Sequence, residues 1–156
     1  MTKEKGNKPI TFGIQNIEIS NYSMSTPENL IPGEVQFALE MGFSQRFSKE
    51  DKTVMNICNT KIYLGANKDR LVCNLTVHLT FKIENLEDFL TINATGQNIL
   101  DTQCINTLNT VTVSTVRGIL YAKNIGTYLG NTLIPIIDVT KLTTTISNSR
   151  DESPSK

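Results

Sequence analysis

The segment LVCNLTVHLTFKI, residues 71 to 83, decides the fold class of this chain. Apolar residues occupy every second position from Leu71 to Ile83, and most of the positions between them are polar. Side chains of a β-strand alternate between the two faces of a sheet, so this spacing predicts a strand with one apolar and one polar face. Such a strand needs neighbouring strands and a layer that covers its apolar face.

Three further strands are predicted on the N-terminal side of this segment. One begins at about Val35 and another spans 53–64, and charged or glycine-containing turns join them to the strand at 71–83 as two hairpins. The earliest strand, at 11–24, is followed by a long loop at 23–33 with two prolines and a glycine. We therefore expect a four-stranded antiparallel sheet, with a long crossover loop followed by two hairpins.

The first strand changes its apolar phase halfway along. Phe12 and Ile14 share one alternation, and Ile17 and Ile19 share the other. A β-bulge near residues 15 and 16 would place all four on one face, and bulges are common at sheet edges. The pattern thus predicts an edge strand that pairs with a second subunit through Phe12, Ile14, Ile17 and Ile19.

A helix is expected over residues 101–121 with Asp101 as its N-cap. Val111 and Val113 fit a strand as well, but the predicted sheet needs a cover, which favours the helix. A second, short helix is expected at 139–146 after Asp138. The predicted fold class is α+β, with two helices packed on one face of the four-stranded sheet.

Composition limits the classes of function. The 156 residues include 15 Lys and Arg and 15 Asp and Glu, so no net charge attracts nucleic acid or an anionic membrane. No apolar run is long enough for a signal peptide or membrane insertion, which predicts a cytoplasmic protein. We expect a disordered tail at 1–9, a single domain at 10–146 and a second disordered tail at 147–156.

Catalytic and metal-binding motifs are absent from the sequence. It contains no glycine-rich phosphate loop, no HExxH and no GxSxG. The single histidine, His78, falls on the polar side of its strand, and the three cysteines have no metal-ligand spacing. The sequence therefore predicts a protein that is not an enzyme and has no cofactor and no metal.

Apolar residues in the predicted loops are the main functional signal. Met24, Leu30 and Ile31 fall in the first loop, and Ile125, Tyr128 and Leu129 in the segment at 124–130. These residues reduce solubility unless something covers them. They act either as lids that fold over their own core or as an apolar surface for another polypeptide.

The order of these elements resembles the SecB family of protein-export chaperones. FGIQNI at 12–17 matches the opening strand of that family, and PGEVQF at 32–37 matches the strand after its crossover loop. Near the C-terminus, the Arg117-Gly118 pair and the Leu-x-Pro sequence at 133–135 resemble the end of the first helix and the approach to the last helix. The resemblance covers about residues 10 to 142.

This resemblance implies a four-stranded sheet with two helices on one side and a tetramer built as a dimer of dimers. It also implies nucleotide-independent binding of unfolded or slowly folding polypeptides in apolar grooves near the crossover loop, the first helix and the connecting loop. On this chain, the predicted client-binding residues are Met24, Leu30, Ile31, Leu120, Tyr121, Ile125, Tyr128 and Leu129.

The chain departs from the family pattern in three places. The connecting loop at 121–132 is longer, the last helix is rich in threonine at 143–145, and the net charge is zero. Docking to the translocation ATPase during export and protection of an antitoxin in a toxin–antitoxin system therefore both remain open. The alternatives outside the chaperone class are a small-ligand-binding protein with a pocket under the 124–130 loop and an oligomeric scaffold of the same fold.

Overall fold

The computed structural model describes residues 8–28, 30, 36–130 and 147–151. Within them, the elements in chain order are four long strands, a 3-10 helix, a small hairpin, one α-helix and a C-terminal strand. The bounds are β1 Phe12–Met24, β2 Phe37–Ser48, β3 Thr53–Leu64, β4 Arg70–Ile83, the 3-10 helix Leu86–Phe89, β5 Leu90–Ile92, β6 Asn98–Leu100, α1 Thr102–Asn124 and β7 Ser147–Asp151.

The main sheet has the strand order β1-β4-β3-β2-β7. The pairs β1–β4, β4–β3 and β3–β2 are antiparallel, which confirms the four predicted strands and their two hairpins. The sheet has five strands rather than the expected four, because β7 joins it beside β2. The turn between β3 and β4 contains Gly65 with φ of 80°, a backbone conformation that favours glycine. The crossover loop places β1 beside β4 rather than beside its neighbour in sequence, β2.

The helix-side face of β4 carries the core. Leu75, Val77, Leu79 and Phe81 are fully buried there, and the hairpin strands add Val54, Cys58 and Phe43 on the same face. One expectation for β4 was wrong. Leu71 is 43% exposed, because a register shift between Ile62 and Tyr63 pairs Leu71 with Tyr63 on the outer face of the sheet.

The bulge that was predicted in β1 is present. The pairing with β4 shifts between Ile14 and Asn16, and it shifts again between Ile19 and Asn21. Because of these shifts, the apolar residues of β1 pair with the core residues of β4 and lie on the helix side of the sheet. They are Phe12, Ile14, Ile17, Ile19, Tyr22 and Met24.

Helix α1 confirms the predicted helix and its cap. The Asp101 carboxylate accepts a hydrogen bond from the Cys104 backbone N–H, and the valines at 111 and 113 are helical. It is the one α-helix among the described residues. The second predicted helix, at 139–146, lies outside them, so the expected pair of helices is not shown.

Helix α1 meets the sheet partly through polar groups. The Asn56 side-chain amide of β3 donates to Asn109 Oδ1 at 2.9 Å and to Thr112 Oγ1 at 2.8 Å, and Gln45 Nε2 of β2 donates to both asparagines. All four residues are buried. Asn109 Nδ2 is buried without a hydrogen-bond partner among the described residues. These bonds fix the helix at one register on the sheet.

The C-terminal strand lies in the segment that the sequence placed in a polar tail. β7 pairs in parallel with β2, with Ser44 opposite Ser147 and Phe47 opposite Asp151, and the pairing shifts between Ser44 and Arg46. The other tail and the limits of the predicted domain remain predictions.

Candidate functional site: an apolar surface at the end of helix α1

The end of α1 and the loop after β1 meet at one end of the sheet. The Tyr128 hydroxyl donates to the Ser25 backbone carbonyl at 2.6 Å, and the Tyr22 hydroxyl donates to Asn124 Oδ1 at 2.9 Å. The Ser25 N–H donates in turn to the Val72 carbonyl. The first bond joins the start of the crossover loop to the turn after α1, and the second joins β1 to the last residue of α1. About 100 residues separate the two partners of each of these two bonds in the sequence.

Local sequence explains why the chain turns here. The Ile125 N–H donates to the Tyr121 carbonyl and ends α1, and Gly126 then takes a φ of 79°, which an L side chain rarely adopts. The Thr127 hydroxyl donates to the Asn124 carbonyl and tightens the turn. This turn directs Tyr128 towards β2, where its ring lies 6.4 Å from that of Phe37.

The predicted client-binding residues divide into three groups. Tyr121 and Ile125 are 59% and 60% exposed, whereas Leu120 and Leu129 are only 3% and 1% exposed and belong to the core. Those two leucines therefore cannot contact a client without unfolding of their surroundings. The third group, Met24, Leu30 and Tyr128, is half-buried. Ile31 lies outside the described residues.

Phe37 and Tyr22 also belong to this surface, and the sequence prediction missed them. Phe37 is half-buried at the first position of β2, next to Tyr128. Its place in the apolar alternation of β2 predicted a core residue. Its position just after the crossover loop was the signal that could have assigned it to this surface. Tyr22 was not predictable, because a second register shift in β1 brings it to the helix side.

The phenols and the thiol at this surface, those of Tyr22, Tyr128 and Cys73, are neutral at neutral pH. Burial, with a smaller contribution from Cys73, raises the pKa of Tyr22 and that of Tyr128, and Arg70 partly opposes this effect at Tyr128. Burial also raises the pKa of the Cys73 thiol, although a hydrogen bond with Asn124 partly opposes this effect. The two phenols therefore act as hydrogen-bond donors, and Cys73 is a protonated thiol rather than a nucleophile.

Two cationic side chains, Lys123 and Arg70, lie near this surface. Lys123 Nζ lies 5.4 Å from the centroid of the Tyr22 ring, a cation–π distance. Because Lys123 is in the last turn of α1, its positive charge also interacts favourably with the helix dipole. His78 lies on the outer face of β4, opposite Glu18 and Ile57, away from this surface. Among the described residues, no cluster of His, Cys, Asp or Glu has the geometry to hold a metal ion.

The four predicted edge-strand residues lie on the same side of the sheet as α1. Phe12 packs edge-on against Phe81, with ring centroids 5.8 Å apart. Ile14, Ile17 and Ile19 are 45%, 46% and 41% exposed, because α1 lies over β3 and β4 and leaves this part of β1 uncovered. The helix-side face therefore has a second apolar area at its edge.

A solved structure from Mycobacterium tuberculosis shares this architecture. It is a SecB-like chaperone in complex with a ChAD peptide from the HigA1 antitoxin, 10% identical, with a TM-score of 0.59 over 81% of this chain and 89% of that one. The chain has the fold of a SecB-like chaperone. At this identity the likeness concerns the fold alone.

The other comparisons add no functional information. A protein of unknown function from Streptococcus agalactiae is 11% identical over 76% of this chain and 92% of its own, with a TM-score of 0.40. No family model matches the chain, and no curated protein matches its sequence. No helix in the described ranges is long and apolar enough to span a bilayer.

Proposed function

We propose that this protein is an ATP-independent chaperone that binds unfolded or slowly folding polypeptides on the apolar surface at the end of α1. The observation that carries the proposal is the junction at Tyr128 and Ser25, which brings two apolar loop segments together and leaves Tyr121 and Ile125 exposed beside it. Shallow apolar areas that lack ionised groups suit varied extended segments better than one shaped substrate.

The client class follows from the fold and the chemistry of the surface. A SecB-like fold supports binding of polypeptides, and the neighbour in M. tuberculosis was solved with an antitoxin peptide. A dedicated client such as an antitoxin therefore fits this chain, and preprotein delivery to the translocation ATPase is the alternative client pathway. Both place the protein in the cytoplasm.

Assembly is part of the proposal. The exposed row Ile14, Ile17 and Ile19 adjoins a strand edge whose backbone groups face away from β4. Pairing with β1 of a second copy would extend the sheet and place the two exposed rows side by side, and two such dimers would form a tetramer through their helices. A particle that sediments as a monomer at micromolar concentration would contradict this arrangement.

A double variant tests the client surface. Tyr121→Ser with Ile125→Ser removes two side chains that are already mostly exposed, so the fold should remain intact. Each side chain contributes about 1 to 2 kcal/mol when a client buries its exposed part, so the Kd should rise at least about tenfold. Fluorescence anisotropy with reduced, carboxymethylated α-lactalbumin, without nucleotide, measures this.

Ile92→Ser provides the matched control. Ile92 is 72% exposed on the β5–β6 hairpin, outside the junction, so its removal should leave the Kd unchanged. An unchanged Kd and melting temperature in the Tyr121 and Ile125 double variant would show that the client binds elsewhere.

A further inference from the structure

The edge of β2 carries an unusual neighbour. The strand β7 lies along it in parallel, with a shift of register between Ser44 and Arg46. The sequence of β7, Ser-Asn-Ser-Arg-Asp, contains no apolar residue, and its asparagine and aspartate are depleted in strands. Parallel pairing is slightly weaker per residue than antiparallel pairing, and an irregular register weakens it further. Backbone pairing with β2 and proximity to β6, rather than burial of apolar β7 side chains, therefore account for the position of β7.

The position of this edge connects it with the client surface. β2 begins at Phe37, which lies beside Tyr128, and it continues to Ser44, the first residue paired with β7. The seven residue steps from Phe37 to Ser44 span about 23 Å along the strand. An extended client segment that contacts Phe37 would have to follow β2 over this length to reach the edge at 44–47.

We propose that the β2 edge at 44–47 is a strand-acceptor site for an extended client segment, and that β7 occupies this site until the client displaces it. This inference rests on the proposed chaperone function and names its mode of recognition. Backbone N–H and C=O groups are present in every unfolded polypeptide, so pairing along a strand edge binds clients of unrelated sequence. Side chains on the apolar surface then add affinity at the other end of the segment.

A peptide pair tests the backbone component directly. The first peptide is fluorescein-labelled and alternates valine and threonine. The second peptide carries N-methyl groups on alternate backbone amides, which remove those hydrogen-bond donors. Loss of two edge hydrogen bonds should raise the Kd about tenfold. Equal affinity of the two peptides would overturn the proposal, because contacts of side chains alone would then explain binding.

A reversible lock tests the role of β7. Ser44 and Ser147 are paired residues, so Ser44→Cys with Ser147→Cys should form a disulfide that holds β7 on the edge. The oxidised variant should bind the unmodified peptide about tenfold more weakly, and a reductant should restore its affinity. The wild-type protein, treated identically, controls for its own thiols, which are all buried. Equal affinity in both redox states would overturn the proposal.

A proline variant weakens the pairing of β7 with β2, whereas the disulfide holds β7 in place. Ser147→Pro with Ser149→Pro removes backbone donors from β7, so peptide affinity should increase, whereas Ser147→Ala with Ser149→Ala should leave it unchanged. A large fall in melting temperature without a gain in affinity would show that β7 is a fixed part of the sheet.

If the wild-type protein binds neither peptide nor α-lactalbumin, the chaperone proposal itself fails. If only the peptide and lock effects are missing, the strand-acceptor proposal fails alone.

Discussion

Strands β1 and β4 lie side by side with similar apolar rows on the same face, yet the two rows have opposite environments. Val77 and Leu79 of β4 are fully buried, whereas their partners in β1, Ile19 and Ile17, are more than two-fifths exposed. The difference arises from α1, which covers β4 and leaves the part of β1 from Ile14 to Ile19 open. An apolar pattern therefore indicates the face of a strand, but the position of the covering layer determines whether that face is core or interface.

The largest expected effect compares one residue from each row. Leu75→Ala should lower the free energy of unfolding by about 2 to 5 kcal/mol, because it leaves a cavity in a closed core. Ile17→Ala should cost less than about 1 kcal/mol in the monomer, because its side chain is already 46% exposed. Urea denaturation at low protein concentration measures both values. Equal losses would show that β1 is as enclosed as β4.

The two faces of β3 give a second comparison. Asn56 is fully buried and donates to Asn109 and Thr112, whereas Asn59 makes similar bonds to Asn74 and Thr76 on the outer face.

Asn56→Ala should destabilise the protein by about 1 to 3 kcal/mol, because it leaves polar groups of Gln45 and α1 buried without partners. Asn59→Ala should cost under about 1 kcal/mol, since water reaches its half-buried partners. Urea denaturation of the two variants decides the comparison. A larger loss for Asn59→Ala would show that the outer face, rather than the helix interface, is the enclosed one.

The open row of β1 also predicts an effect on assembly. Ile17→Lys places a charge on the helix-side face and should raise the dimer dissociation constant at least about tenfold, since an unpaired charge in an apolar interface is costly.

Asn16→Lys adds the same charge on the outer face of the same strand and is the matched control. Sedimentation equilibrium measures both variants. If Asn16→Lys disrupts the dimer and Ile17→Lys does not, copies meet through the outer face instead.

The smallest effect appears only in alkali. Burial and the nearby Asp101 carboxylate raise the pKa of Cys104 to about 12, and burial raises that of Cys58 to about 11. In the unfolded chain these thiols ionise near pH 9, whereas the folded protein keeps them protonated. Their contribution to stability is therefore complete below about pH 9 and is lost as the pH rises towards the folded values.

The Cys104→Ala variant isolates one of these contributions. Its free energy of unfolding should fall less steeply with pH between about 9 and 11 than that of the wild-type protein. Urea denaturation at several pH values gives the two slopes. Identical slopes would show that Cys104 is open to solvent in the folded protein.

Much of the fold was predictable because local rules govern it. The alternation at 71–83, the turns of the two hairpins, the bulge after Ile14 and the Asp101 cap depend on side-chain periodicity and on hydrogen bonds between near neighbours. The helix at Val111 and Val113 was predicted because the sheet needs a covering layer, and not because of the helix propensity of these residues. The cluster around Asn56 and Asn109 was not predictable, because its members come from three separate elements.

The candidate site was less predictable than the fold for a related reason. The sequence alone determined that the loops after β1 and after α1 carry apolar residues. Only the tertiary structure decided that Leu120 and Leu129 are core, that Tyr121 and Ile125 face solvent, and that Tyr128 reaches Ser25. Burial depends on which distant segments meet, and that outcome reflects the packing of the whole chain, which no single stretch of sequence encodes.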